Sequence, residues 1–287
     1  MHENATRGTS DLVCRLETYY DTMPRTQADV EDHGPFTLFV SRMPWPLYAR
    51  PRLGHTDSFD VLDVTAVRRR LEELRQPVRF EWTHEAAPSL VEVMTEAGLS
   101  VERYPLLVLD ELVPAEPPPG VRVRFMEAED DALAAAVAAV DIGFSPGEGD
   151  DLSRRDELAR NLPPGRLALI REHIRAGHQR WAVAEDASGP VAGGSYQPCD
   201  GVAELMGIAT IPSRRERGIG SAITAALSAD ALRHGVALVF LSAGSADAAR
   251  IYERLGFRRV ATACAAVLPS GPTASSGDGR QGSGDTR

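Results

Sequence analysis

Residues 236–242, VALVFLS, form a nearly unbroken apolar run bounded by turn signals. A run of this length and continuity reads as a central strand buried on both faces. Helical patterns flank it over residues 218–234 and 246–255, each followed by a glycine, Gly235 and Gly256, where glycine is favoured just past a helix end. A strand of this kind needs a sheet with helices packed on it. Upstream, residues 121–126, 180–185, 191–196 and 202–211 read as strands, and 130–140, 153–162 and 165–175 as helices. Residues 257–267 read as a closing strand pair. The expected class is α/β (α+β), a mixed central sheet flanked by helices.

The chain has 287 residues, which is room for two modest domains. Three folded or linking regions separate by composition. Residues 1–113 form a first unit. The proline-rich stretch 114–120 reads as a stiff linker, and 121–268 form a second unit. The tail 269–287 has no large apolar side chain and is expected to be disordered. The first unit echoes the second: helix 59–75, strand 78–82, helix 89–97, Gly98 and strand 101–109 repeat the order of 218–267, as a degenerate internal repeat would.

Charge and cysteine content narrow the functions. Thirty-one basic residues against 41 acidic ones give a net charge of −10, an average field that disfavours nucleic acid. No apolar stretch is long enough to span a membrane, and the start lacks a basic segment followed by an apolar run, so a cytoplasmic location is expected. Cys14, Cys199 and Cys264 are far apart and without a CxxC spacing. The seven histidines show no HxxxH or HExxH pattern, so no metal is expected.

The stretch 214–222, RRERGIGSA, lies between the strand 202–211 and the helix that follows. Glycines there let backbone approach a ligand closely. Free amides at a helix start favour an anion, and Arg215 and Arg217 add positive charge. A diphosphate suits that arrangement. A Walker loop is absent, and position 223 is Ile where the dinucleotide fingerprint needs a third glycine. What remains is [Arg/Gln]-x-x-Gly-x-[Gly/Ala], met by Arg215, Gly218 and Gly220.

Residues 204–212, ELMGIATIP, followed by this turn resemble the signature of the GCN5-related N-acetyltransferases (GNAT). A second element, 248–257, AARIYERLGF, resembles the family's later motif, a helix carrying Ala and Tyr that ends in Gly-Phe. The resemblance covers about residues 121–268. It implies a GNAT fold, a smaller degenerate GNAT-like unit over 1–113, and acetyl-CoA as co-substrate. It further implies that Ile208, Ala209 and Thr210 pair with the pantetheine arm, and that the amides of Arg215, Glu216, Arg217, Gly218, Ile219, Gly220 and Ser221 cradle the diphosphate. Ser245 stands where the family often has an Asn that contacts the cofactor arm.

The same resemblance makes Tyr252 the acid that protonates the departing thiolate; a phenol near ~10 and a thiol near ~8.5 exchange a proton almost evenly. Glu204 is the candidate base, with ordered water as the other possibility. A carboxylate in an apolar strand is expected to have a raised pKa. The implied activity is an acyltransferase, an N-acetyltransferase with direct attack by an amine. The alternative is a non-catalytic CoA-binding or regulatory protein built of tandem GNAT-like halves. The first unit has Met94 where the second has Tyr252, and is expected to shape an acceptor pocket instead, with Trp45, Tyr48, Trp82 and His84 as candidate lining. The acceptor, a small-molecule or peptide amine, is left open.

Overall fold

A computed structural model describes residues 2–43, 45–145 and 147–269. All of the tail beyond Pro269 therefore lies outside the described residues. Among the described residues, eleven strands form one mixed sheet in the order β1-β2-β3-β4-β11-β5-β10-β9-β8-β7-β6. The first part of the chain supplies α1 (His2–Arg25), β1 (Ala28–His33), β2 (Phe36–Ser41), β3 (Ala49–Pro51), α2 (Val61–Glu73), β4 (Arg79–Thr83), α3 (Leu90–Glu96) and β5 (Ser100–Leu109). The second part supplies β6 (Arg122–Phe125), α4 (Leu133–Phe144), α5 (Asp151–Asn161), α6 (Pro164–Arg175), β7 (Arg180–Asp186), β8 (Gly189–Cys199), β9 (Val202–Thr210), α7 (Ile219–Arg233), β10 (Leu238–Ser242), α8 (Ala246–Arg254) and β11 (Phe257–Val267). No helix among the described residues is long and apolar enough to cross a membrane.

Local chemistry sets the helix starts. Asp60 caps α2 in a reciprocal capping box with Asp63, and Asp150 caps α5 through the Ser153 amide. α4 is apolar nearly all round, with Leu133, Ala136, Val137, Ala138, Ala139, Val140 and Ile142 buried, as a helix wedged between a sheet and other helices must be.

Residues 257–267 are one strand, not a strand pair. β11 runs without a turn and pairs antiparallel with β4 on one edge and β5 on the other, with a bulge between Arg259 and Ala261. An apolar stretch with partners on both edges needs no hairpin. β5, contributed by the first part of the chain, thus sits between β10 and β11 of the second. The helix–strand–helix–strand order occurs in both parts, and in each the last strand is laid into the neighbouring part of the sheet. Helix α1 crosses the join. Val13, Leu16 and Tyr19 pack on Leu106, Val108, Val202, Leu238, Phe240 and Ala261 from both parts. Each such buried side chain contributes roughly 1.5–3 kcal/mol.

Gly256 makes the turn into β11 at φ 93°, and its carbonyl accepts the Asp110 N–H at 3.0 Å. A Cβ there would collide with the Glu111 carbonyl. Gly256→Ala combines left-handed backbone strain with overpacking, and should destabilise the fold by at least about 2 kcal/mol. Denaturant unfolding monitored by tryptophan fluorescence would show this as a lowered midpoint with unchanged slope. An unchanged midpoint would mean that the join tolerates displacement.

Candidate functional site

β9 is the element around which the site is built. It pairs parallel with β10 only over Val202, Ala203 and Glu204. Beyond Glu204 no ladder joins the two strands, although β10 stays paired to β5 on its far edge and β9 to β8 on its own. The register of β8 and β9 also shifts between Gly193 and Ser195, with Gly207 and Ile208 bulged out of β9 and Gly207 at φ 63°. One edge of β9 is therefore open from Leu205 to Thr210, beside a strand bearing away from it. Open backbone donors and acceptors of this kind need a partner.

That open edge leads to the start of α7. Glu216 at φ 61° and Gly218 at φ 80° turn the chain through left-handed conformations, which face successive amides into a concave surface. Gly218 is the N-cap and supplies no side chain to the first-turn amides, so those donors stay free for an anion. A cleft of about 500 Å³ follows, lined by Ile208, Ala209, Thr210, Arg215, Glu216, Gly218, Ile219, Gly220 and Ser221, with Gly143 and Phe144 from α4 and Ile251 and Arg254 from α8.

The arginines divide their work. Arg214 is paired with Asp186 at 2.8 Å. Arg215 donates to the carbonyls of Thr210 at 3.2 Å and Gly143 at 2.6 Å, so it braces the turn against β9 and α4. Arg217 is exposed and is not part of the cleft wall. Ser245 also lies off the wall. Its hydroxyl accepts the Ala248 amide at 3.1 Å as the N-cap of α8.

Tyr252 lies on α8 between the cleft residues Ile251 and Arg254 in sequence. Its ring packs edge-on against Phe257 with centroids 6.1 Å apart. Burial pushes its pKa above the ordinary tyrosine value, and among the described residues no side-chain hydrogen bond engages its hydroxyl.

Glu204 closes the paired part of β9. Tyr20 Oη, from α1, donates to Glu204 Oε1 at 3.2 Å. The carboxylate is almost surrounded by protein and keeps only a slice of surface toward a cavity. Burial lifts its pKa to about 8, the nearby Glu81 carboxylate adds to the rise, and the Tyr20 hydrogen bond opposes it. Tyr20 itself is held in place. Arg50, 1% exposed, donates to Glu17 Oε2 at 2.6 Å and stands 5.5 Å over the Tyr20 ring. Breaking a buried pair of this sort costs roughly 3–5 kcal/mol.

A cavity of about 690 Å³ opens on this face, with walls from both parts of the chain: Tyr20, Trp45, Tyr48 and Glu81 from the first, Trp181 and Glu204 from the second. Trp82 lines a smaller space of about 220 Å³ that shares Tyr20, Glu81 and Glu204 with the larger one, and His84 lines neither. Tyr20 and Glu81 carry no mark in the sequence. Neither stands in a motif, and only the tertiary fold brings them to Glu204.

A family model described as an acetyltransferase (GNAT) domain matches residues 177–259. No curated protein matches the chain. Among solved structures, a GCN5-related N-acetyltransferase from Kribbella flavida is similar at a TM-score of 0.68 and 25% identity, over 91% of this chain and 97% of its own. A tandem GNAT protein from the clavulanic acid biosynthesis pathway shares the fold at a TM-score of 0.51 and 14% identity, over 82% of this chain and 78% of its own.

Proposed function

We propose that the chain, whose residues 177–259 match the GNAT acetyltransferase model and whose fold is shared with GNAT proteins, is an acetyl-CoA-dependent N-acetyltransferase acting on a primary amine by direct attack. The observation that carries this reading is the parting of β9 from β10 after Glu204, which opens a strand edge onto an uncapped helix start. The pantetheine arm of CoA carries amides spaced to pair with such an edge, and its diphosphate matches free amides at a helix start. In this reading residues 121–268 are the catalytic unit, 114–120 the linker, and 1–113 the unit that closes the acceptor side.

The residues divide the task. Ile208, Ala209 and Thr210 present backbone to the pantetheine arm. The amides from Arg215 to Ser221, with Arg254 on the cleft wall, hold the diphosphate, while Arg215 keeps the turn in place through its two carbonyl contacts. Glu204 takes the proton that the acceptor amine must lose to become nucleophilic. Backbone N–H groups of the bulge near Ile208 face the developing oxyanion. Tyr252 gives its proton to the departing sulfur and regains one from the nitrogen as the C–N bond forms. One proton per turnover passes from Glu204 to solvent.

Calorimetry and turnover test the reading together. Wild-type protein should bind both acetyl-CoA and CoA. Thiol release should appear on addition of an amine. Tyr252→Phe should lower kcat about 10- to 100-fold with CoA affinity unchanged. A protein that binds neither form of the cofactor is not an acetyltransferase. One that binds CoA tightly and turns over no amine is a CoA-binding module.

A further inference from the structure

The cavity shared by the two parts of the chain has a character of its own. At about 690 Å³ it is the size of a small-molecule site. Its aromatic walls come from Tyr20, Trp45, Tyr48 and Trp181. Two carboxylates, Glu81 and Glu204, reach both this cavity and its smaller neighbour. The remaining ionic group on the wall, Arg166, is met by Asp141 through two hydrogen bonds of 2.7 and 2.8 Å, so among the described residues no unpaired cation lines the cavity. Glu81 is paired on one oxygen only, by Arg79 at 2.6 Å, and keeps 27% of its side chain exposed. Trp181 is 7% exposed and contributes its share of the wall from β7. The larger cavity and the CoA-side cleft follow one another along β9, through Glu204 and Met206 in the first and Ile208 to Thr210 in the second.

We propose that this cavity takes the acceptor as a small-molecule ammonium cation with an apolar or aromatic body, and that Glu81 holds the ammonium beside Glu204. This rests on the acetyltransferase reading and names its substrate class. Aromatic faces attract a cation and stack on an apolar body. Carboxylates fix the charged end. An acidic amine meets repulsion at Glu81, and a zwitterionic amino acid finds no free cation for its carboxylate. The first part of the chain thereby selects the acceptor while the second carries out the transfer.

The balance of the step is simple. Glu204 accepts one proton from the bound ammonium, leaving a neutral amine whose lone pair forms the new C–N bond as the C–S bond breaks. The bound cation also favours the ionised form of Glu204, so the acceptor readies its own base.

Benzylamine, glutamate and a dipeptide with a free N-terminus separate the possibilities as acceptors. Benzyltrimethylammonium, which cannot be acetylated, reports binding alone through quenching of tryptophan fluorescence. Benzylamine should be acetylated at least tenfold more efficiently than either competitor, and the quaternary ion should bind wild-type protein. Glu81→Gln should raise KM for benzylamine and Kd for the quaternary ion at least fivefold, leaving KM for acetyl-CoA unchanged. Trp45→Ala should weaken both without touching CoA. CoA binding with transfer to glutamate or to the dipeptide in preference to benzylamine would overturn this inference alone. Equal binding of the quaternary ion by wild type and Glu81→Gln would also overturn it. Failure to bind CoA at all would remove the acetyltransferase reading beneath it.

Discussion

Gly220→Asp is expected to leave the unliganded protein as stable as before, or slightly more so, and to lower its affinity for CoA by a hundredfold or more. The two effects have opposite signs because the position has two roles. Gly220 is the second residue of α7, after the N-cap Gly218. It has an ordinary backbone conformation, and the nearest atom to an added Cβ is Thr210 Oγ1 at 3.9 Å, so a side chain fits. An acidic residue in the first turn of a helix gains about 0.3–1 kcal/mol from the helix dipole, and replacing glycine inside a helix gains a few tenths more. The same carboxylate would occupy the free amides and set a negative charge where the diphosphate must lie. A hundredfold loss corresponds to about 2.7 kcal/mol, a modest figure for like charges sharing one small site. Thermal unfolding of the apo protein and calorimetry with CoA measure the two sides separately. Unchanged CoA affinity in a variant of unchanged stability would mean that the turn does not hold the diphosphate.

What the sequence disclosed and what it hid follow from the range of the interactions. The strand, the arginine-glycine turn and the helix after it lie within one short stretch, so their residue types are dictated by neighbours a few positions away. The same holds for Gly256, whose left-handed turn is read directly from helix followed by strand. The exchange of β5 and β11 was hidden, because which strand pairs with which depends on contacts more than a hundred residues apart, and an apolar strand reads the same beside any partner. Helix α1 was hidden for another reason. Its sequence is polar on average and its buried stripe is narrow, carried by Val13, Leu16 and Tyr19. The acceptor side was hidden with it, since Tyr20 on α1, Trp45 and Tyr48 in a loop and Glu81 on β4 converge only in three dimensions. Ser245 shows the converse. The family resemblance marks it for a cofactor contact, while the rule for a serine at a helix start marks it as a cap, and in the fold its hydroxyl caps α8.

The second large effect concerns Glu204 and is best read against pH. Its pKa of about 8 means that the carboxyl is mostly protonated at neutrality and cannot then accept a proton. If Glu204 takes the ammonium's proton, kcat/KM should climb about tenfold per pH unit to about 8 and then level off, up to the pKa of the amine itself. For an alkylamine that pKa is about 10.4. Glu204→Gln has nothing to take the proton and must wait for free amine from solution. Its profile should lack the plateau and keep rising toward the amine pKa, with a deficit of about a hundredfold at pH 7 that narrows as pH rises. Stability should move as well, in a direction fixed by the sign of the shift. The folded pKa lies above the unfolded one, so the carboxyl's contribution is fully present below about 4.5 and is lost as pH rises through about 8. The variant should therefore lose less thermal stability between pH 6 and 9 than wild type. A structural glutamate would shift stability without altering the shape of the rate profile. A profile that keeps its plateau in Glu204→Gln, or a deficit under tenfold at pH 7, would assign the proton to ordered water in place of Glu204.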